Sequence, residues 1–481
     1  MKNKKGFTLV ELLAVIAILA ILVIIALPNV INMYTNAKKE AFLTEAKSVY
    51  NEVPKKVMFN NYNSEKIKYI SSEDDTKLDM IGEKLKYCIK LNSDGKVTSM
   101  IVGNDQYYVM YRHKIDVNDI KKEDIVEGKY DFDECNASTV IKKEKKCTYD
   151  GELTTGATFV DGQYTYKYNQ RNQFSSWEDV DQDGWAVILT DKNSTDPVTT
   201  KMCTSINDKP IVNMRFTYYG SKATSIDITD IDSSHVTDFW AAFSYIAANS
   251  LDVRNLDTSS ATSLGGMFGD IKVKKLDLSN FDTSKVTMMD RMFIGADIEE
   301  IIFPENFAIA ATDMERIFSS MKTIKSIDLS NFKTSKVTDM TGMFEGTKNL
   351  RNVDLSSLDT SSLLRMDYMF YGSGITSADL SNLDTSKVTR IDHMFMSTPN
   401  LEEIDLSGKF TTQNVTRADL TFAESPKLKV IYVNNNWVTT KMGNTANMFK
   451  GSTLLRNYDS TKLDKTNANT SSTGYLTLKE N

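Results

Sequence analysis

From Phe7 to Ile31 the chain carries one charged side chain, Glu11, in an otherwise largely apolar run. About 20 apolar residues suffice to cross a bilayer as a helix, so this run predicts a membrane helix. Beyond Pro28 the apolar positions narrow to a stripe at Phe42, Ala46, Val49, Val53 and Val57. Their three- and four-residue steps predict an amphipathic helix with one buried face, perturbed or ended at Pro54. The period then shortens. Tyr87 to Leu91 and Val97 to Val102 flank a polar Asn92-Ser93-Asp94-Gly95-Lys96 stretch, a hairpin signal, and Tyr107 to Arg112 predicts a third strand. Residues 115–130 are too polar and irregular to assign. From Thr148 to Pro210 a second β module is expected, with Tyr164, Tyr166 and Tyr168 alternating along one strand and Trp185 to Leu189 forming another.

Repeats fill the remaining half. Phe243, Phe268, Phe293, Phe318, Phe344, Phe370, Phe395, Phe422 and Phe449 recur at steps of 25 to 27 residues. Similarity at that period predicts a solenoid whose units bury their apolar faces against one another. In one unit Ile327 and Leu329 alternate with Asp328, as in a short strand with its aliphatics inward. Met340, Met343 and Phe344 fall on one face of a helical turn that Thr338 is placed to cap, and Gly346, like Gly295 and Gly372, stands where that turn must end. Coils at Ile301-Ile302-Phe303-Pro304 and Ile431-Tyr432-Val433 depart from the pattern. The repeats at about 211–455 resemble the bacterial surface leucine-rich repeats of the BspA type, which implies a β/α solenoid exposed on a cell surface and used in adhesion.

The N-terminus adds a processing signal. Lys4-Lys5-Gly6-Phe7-Thr8-Leu9-Val10-Glu11 resembles the cleavage and methylation signature of type IV prepilins and pseudopilins. The resemblance implies a prepilin peptidase that cuts between Gly6 and Phe7 and methylates Phe7. It also implies assembly guided by Glu11 with other pilin subunits and the pilus machinery. Physical chemistry agrees: a carboxylate near the end of a spanning helix is costly unless paired, and the freed amine of a neighbour's Phe7 would pair it. Lys2, Lys4 and Lys5 hold the N-terminus cytoplasmic and place the C-terminus outside.

The expected fold is therefore multidomain: a basic leader (1–6), a membrane and pilin-like α-helix (7–60), a small β-rich headpiece (61–141), a basic linker (142–147), the small β module (148–210), the leucine-rich-repeat-like solenoid (211–455) and a C-terminal tail or cap (456–481). With 481 residues, there is room for about three domains. The net charge of −7 shows no dominant basic face, so no nucleic-acid partner is expected. Four cysteines, Cys88, Cys135, Cys147 and Cys203, follow the membrane run, where disulfides can form. One bond on each side of the linker is preferred, with a Cys135–Cys147 loop or free thiols as alternatives.

Candidate chemistry is sparse. No phosphate loop, nucleophile elbow or zinc motif occurs, so neither an enzyme nor a cofactor is expected. Asp179, Asp181 and Asp183 resemble the opening of a calcium loop, but Thr190 stands where the closing glutamate belongs, and an acidic turn is the simpler reading. His113, His235 and His393 are scattered, the last two at positions expected on a solvated surface. Stacking coils about 4.8 Å apart would bring Asp252, Asp277, Asp328, Asp354, Asp379 and Asp405 into a row of like charges. A cation would relieve that row; hydrogen bonds to neighbouring Ser and Asn, or solvation, are preferred. The expectation is a minor or tip pilin-like subunit at the cell surface displaying a solenoid for a host glycan or protein. The alternative is an uncleaved membrane-anchored adhesin or spacer, in contact with lipid but never in a filament.

Overall fold

The computed structural model describes residues 34–56, 69–72, 78, 85–91, 97–111, 120–127, 145–169, 183–199, 201–228 and 231–479. The chain divides into two compact units, Met1–Lys143 and Glu144–Asn481.

In the first unit, helix α1 (residues 34–56) buries Phe42, Ala46, Val49 and Val53, the predicted stripe; Val57 lies outside the described residues. Pro54 falls in its last described turn. The five strands are β1 (Tyr69–Ser71), β2 (Lys86–Leu91), β3 (Val97–Gly103), β4 (Tyr107–Tyr111) and β5 (Val126–Glu127). They form one sheet in sequence order, each neighbouring pair antiparallel. The β2–β3 hairpin and β4 lie where alternation placed them. β1 and β5 are too short to leave a periodic signal. Stripe and sheet share one core, in which Ile70, Tyr87, Ile89, Met100, Val102 and Val109 meet the helix and Phe42 packs against Tyr107 at 5.9 Å. Among the described residues no helix is long and apolar enough to cross a membrane; the run at 7–31 lies outside them.

The second unit opens with β6 (Lys146–Cys147), β7 (Thr158–Asp161), β8 (Tyr164–Asn169), β9 (Gly184–Leu189), β10 (Ser205–Ile206) and β11 (Lys209–Asn213), ordered β6-β10-β11-β9-β8-β7. Lys146 and Cys147, expected in a linker, are thus part of a sheet. Gly184 is required where β11 crosses: a Cβ there would stand 2.7 Å from Val212 and 2.8 Å from the Pro210 carbonyl. Nor does the fold break near residue 210. β11 pairs in parallel with β9 and ends at Asn213, which begins a column of parallel bridges through Asp238, Ser263, Met288, Asp313, Asp339, Arg365, Arg390, Arg417 and Asn444. The opening sheet is the N-terminal cap of the solenoid and shares its core, continuous from Tyr164 to Leu476.

A second face carries β12 (Lys275–Asp277) with β13 (Glu300–Ile302), and β14 (Ser377–Asp379), β15 (Glu403–Leu406), β16 (Val430–Val433) and β17 (Thr477–Leu478), all parallel; residues 327–329, expected as a strand, form none, although Leu329 is buried as expected. The divergent segments at Ile301 and Ile431 therefore lie in regular strands. The repeated phenylalanines form a stack running from Tyr218 through Phe243 to Phe449, with centroids 5.1 to 6.1 Å apart and planes within 17°. Tyr475 closes it edge-on at 5.0 Å, so the tail is a cap.

The helical turn expected at Met340 to Phe344 is not formed. Met340, Gly342, Phe344 and Gly346 donate their N–H groups to Arg365, Asp367, Met369 and Tyr371 of the next coil, at 2.7 to 3.0 Å, while Met343 and Glu345 bond three residues back. Alternating the two directions needs left-handed backbone at Gly342 (φ 61°) and Gly346 (φ 68°), which no α-helix tolerates. The fold is thus a β-solenoid of strands and turns rather than a β/α one. Thr338 does not cap a helix either. Its hydroxyl donates to the Thr312 carbonyl at 3.1 Å, as Thr262, Thr287 and Thr312 do to the coil before them.

Candidate functional site

Gly6, Phe7 and Glu11 lie outside the described residues, as do Asp179, Asp181, His113 and Cys135. Asp183 immediately precedes β9. Cys147 and Cys203 form a disulfide within the N-terminal cap. Cys88 is disulfide-bonded as well, which leaves neither of those two as its partner. Cys147, Asp161 and Cys203 are the one cluster of potential metal ligands among the described residues. Both sulfurs are spent in the disulfide and Asp161 pairs with Lys145, so no donor set remains.

The aspartate row is satisfied by backbone. Asp252, Asp277, Asp328, Asp354, Asp379 and Asp405 each accept the N–H two residues on, at 2.9 to 3.1 Å. Asp257, Asp282, Asp359 and Asp384 do the same at the next corner, at 2.8 to 3.0 Å. These Asx turns fix each bend and give every carboxylate of the row a backbone donor, the hydrogen-bonded relief preferred from the sequence. They hold the carboxyls of Asp328, Asp354, Asp359 and Asp384 below the ordinary range, through hydrogen bonds from Ser330, Ser356, Ser361 and Ser386.

Chemistry is concentrated on another edge, the ledge of left-handed turns that follows the bridge column. Because the turns alternate, each coil carries, between the side chains that point inward to the phenylalanine stack, a pair of adjacent residues whose second member is left-handed. Those pairs read Arg215-Phe216, Trp240-Ala241, Gly265-Gly266, Asp290-Arg291, Glu315-Arg316, Thr341-Gly342, Asp367-Tyr368, Asp392-His393 and Asp419-Leu420, and they mix buried with partly exposed side chains. Ion pairs tie them coil to coil. Arg291 bridges Asp290 at 2.8 Å and Glu315 at 2.9 Å, and Arg316 joins Glu315 to Glu345. Arg365 links Asp339 (3.1 Å) to Asp367 (3.3 Å), Arg390 links Asp367 (3.3 Å) to Asp392 (3.1 Å), and Arg417 reaches Asp392 at 3.4 Å. Asp367 and Asp392 are buried and the arginines partly exposed, so the carboxylates serve as fixed anchors for the guanidinium groups. Burial pushes the carboxyl of Asp290 up, helped by Asp313 and opposed by Arg291.

Aromatic side chains gather at two stations on this ledge. At the first, Arg215 lies between Phe216 and Trp240, 5.7 and 5.2 Å from their ring centroids, and Tyr219 packs edge-on against Phe216 at 5.3 Å and Tyr245 at 5.4 Å. Tyr219 is 39% and Tyr245 52% exposed. At the second, Tyr368 stacks on His393 at 4.5 Å and meets Tyr371 at 5.7 Å. His393, expected on a solvated surface, is instead half-buried, whereas His235 is exposed. Sequence reasoning missed the ledge, although Arg-x-Asp at 365–367, 390–392 and 417–419 repeats its signature in three successive units.

Two family models match the chain. One, described as Mycoplasma protein of unknown function, DUF285, matches residues 198–300, 312–434 and 375–477, together more than half of the sequence. The other, the prokaryotic N-terminal methylation motif, matches residues 1–27. No curated protein and no solved structure matches.

Proposed function

The chain belongs to the DUF285 family and carries a prokaryotic N-terminal methylation motif, and from that premise we propose that it is a pilin-like surface subunit whose solenoid mediates adhesion. The observation that supports this most is the pairing on one chain of that motif with a solenoid capped at both ends. The caps matter because an open solenoid end invites further coils, whereas a closed one leaves only the lateral faces for binding. On this reading prepilin peptidase cuts between Gly6 and Phe7, Phe7 is methylated, and Glu11 guides docking among other pilins. The N-terminus faces the cytoplasm and the second unit lies outside the cell. The solenoid's bulk favours a minor or tip position, since closely spaced filament subunits leave little room for it on every copy. In use, though not in backbone, the repeats then parallel the BspA-type surface repeats.

Two variants test the proposal. Gly6→Leu should block maturation, read as the intact mass of the membrane-extracted protein; a wild-type mature mass would refute the processing step. Deleting 144–481, a cut at the unit boundary, should leave processing intact and abolish attachment of cells to their target surface. A cut at residue 211 would not serve, because it would strip the N-terminal cap of the core it shares with the coils. Unchanged attachment after the unit deletion favours the anchored spacer.

A further inference from the structure

Resting on the adhesive reading, we propose that the first aromatic station is a carbohydrate subsite that stacks a neutral pyranose of a surface glycan on Trp240 and Tyr245. Three observations carry this. Large aromatic side chains are usually buried, yet this station holds four within two adjacent coils, with Tyr219 and Tyr245 widely exposed. The rings are held in place. Trp240 lies against the backbone of Gly265, where a Cβ would approach its ring carbons to 2.4 Å, so that glycine makes the seat for the indole. The Tyr245 hydroxyl donates to Asp270, and Lys192 anchors the other side by donating to the Phe216 carbonyl at 2.8 Å. Such pre-ordering lowers the entropy lost when a ligand binds.

The second observation is an unused acceptor. Asp290 is 4% exposed, and its Oδ1 is buried with no hydrogen-bond partner. It faces the same seat, 2.9 Å from the position a Gly265 Cβ would take. A buried acceptor left unpaired is costly, and a hydroxyl donor inserted beside the indole would satisfy it. The third is charge. Arg215, Lys192 and Arg291 around the station are matched by Asp238, Asp270 and Asp290, with Arg215 and Asp238 3.4 Å apart. A polyanion would find no net attraction, and a single-stranded nucleic acid, which needs stacking rings with a surplus of positive charge, would lack that surplus. A neutral ring with polarised C–H groups and several hydroxyls fits the aromatic faces, the fixed guanidinium and the carboxylates together. Tyr368 and His393 offer a second stacking site on the same ledge, five coils or about 24 Å away at about 4.8 Å per coil, which suits an extended chain.

The test uses the full chain in mild detergent against soluble neutral oligosaccharides of glucose, galactose, mannose and N-acetylglucosamine, with heparin and polysialic acid as polyanions. Binding is read by isothermal titration and by the shift of tryptophan emission. At least one neutral oligosaccharide should bind. Trp240→Ala and Tyr245→Ala should each weaken it about tenfold or more, while Tyr245→Phe, which keeps the ring, should hold most of it. Tyr245→Ala changes a half-exposed side chain, so its melting curve should match the parent and separate lost binding from lost folding. Binding to none of the neutral probes, to polyanions only, or equally to the parent and both alanine variants would overturn the proposal. Cells carrying Trp240→Ala and Tyr245→Ala that attach normally, while those lacking 144–481 do not, would sink this subsite and leave the adhesive reading standing. Attachment that survives glycosidase treatment of the target surface would do the same, in favour of a protein ligand.

Discussion

Replacing Phe344 with alanine tests the solenoid where it is most repetitive. The ring is fully buried and stacked on both sides, 5.8 Å from Phe318 at 14° and 5.3 Å from Phe370 at 13°. Truncating a packed phenylalanine costs about 3–5 kcal/mol. Loss of two stacked contacts, each about 0.5–1.5 kcal/mol, places this site near the top of that range. A domain is commonly stable by about 5–15 kcal/mol, so the variant loses a large share of the total. Because a solenoid couples each coil only to its neighbours, the weak point should divide the molecule rather than soften it evenly. Urea titration of 144–481, followed by circular dichroism, should show an earlier midpoint and a broader or two-step transition. Limited proteolysis should cut first within the coils on either side of Phe344. Leu364→Ala is the control: that side chain is 44% exposed and should change stability by no more than about 0.5 kcal/mol. A Phe344→Ala fragment whose midpoint lies within about 1 kcal/mol of its parent would refute nearest-neighbour packing through the phenylalanine stack.

Other outcomes follow from the same geometry. Cys203→Ala should cost the second unit about 2–4 kcal/mol, and the parent in reductant should melt at the same point; no difference between oxidised and reduced parent would refute it. Asp392→Ala leaves Arg390 and Arg417 without their shared anchor. The arginines are 28% and 51% exposed, so the loss should be about 1–3 kcal/mol rather than the full cost of a buried pair, with Asp392→Asn milder; equal melts for Asp392→Ala and parent would refute it. The Asx-turn carboxyls of Asp328, Asp359 and Asp384 sit lower in the folded chain than unfolded. Their stabilisation is present above the unfolded carboxylate range, about pH 4, and lost as pH falls through the folded values. Asp359→Asn with Asp384→Asn should flatten that acid limb, while Asp290 and Asp313, raised chiefly by burial, act oppositely because protonating them removes a cost; an unchanged acid limb in the double variant would refute it. Glu11→Ala should insert in the membrane as the parent does yet enter filaments less, measured as the ratio of sheared to cell-bound protein; equal ratios would refute a role in assembly.

What the sequence disclosed and what it hid divide along a physical line. Inward positions were legible because burial imposes a period: the α1 stripe at Phe42 to Val53 and the phenylalanine repeat fall where the apolar pattern put them. Met340, Met343 and Phe344 lie inside, as their spacing predicts, but on strands and turns rather than on a helix. Spacings of three and four also arise when a backbone alternates forward and backward hydrogen bonds, and nothing in the apolar pattern separates the two. The glycines at 295, 346 and 372 held the missing clue, since all three take φ between 64° and 68°. Yet Tyr245, Ser320 and Glu424 occupy the same corner in other coils with φ of 59°, 62° and 53°, which blurs any glycine rule. The ledge residues, part buried and part exposed, obey no period of burial. Arg365, Asp367, Arg390 and Asp392 became a ladder only once the coils were stacked in register.

The ledge side chains are not what the backbone alone would choose. At its first left-handed position Gly266 and Gly342 adopt the conformation freely, but Phe216, Arg291, Arg316, Tyr368 and His393 adopt it with φ between 54° and 60°. A side chain in that region costs about 1–2 kcal/mol, and replacing glycine returns only about 0.4–1 kcal/mol by restraining the unfolded chain. Each such residue therefore leaves a small deficit, which something beyond backbone preference must offset. For Arg291 and Arg316 the offset is visible in their ion pairs, and for Tyr368 and His393 in their stacking. At the first station it is only partly visible, since Arg215 and Tyr219 steady Phe216 while Tyr245, in the second left-handed position, turns half its surface to solvent. Strain of this kind runs as an inference from outlier to function. At Tyr245 the outlier is held by the Asp270 hydrogen bond and the Tyr219 ring and still half open to solvent, the combination a stacking surface needs.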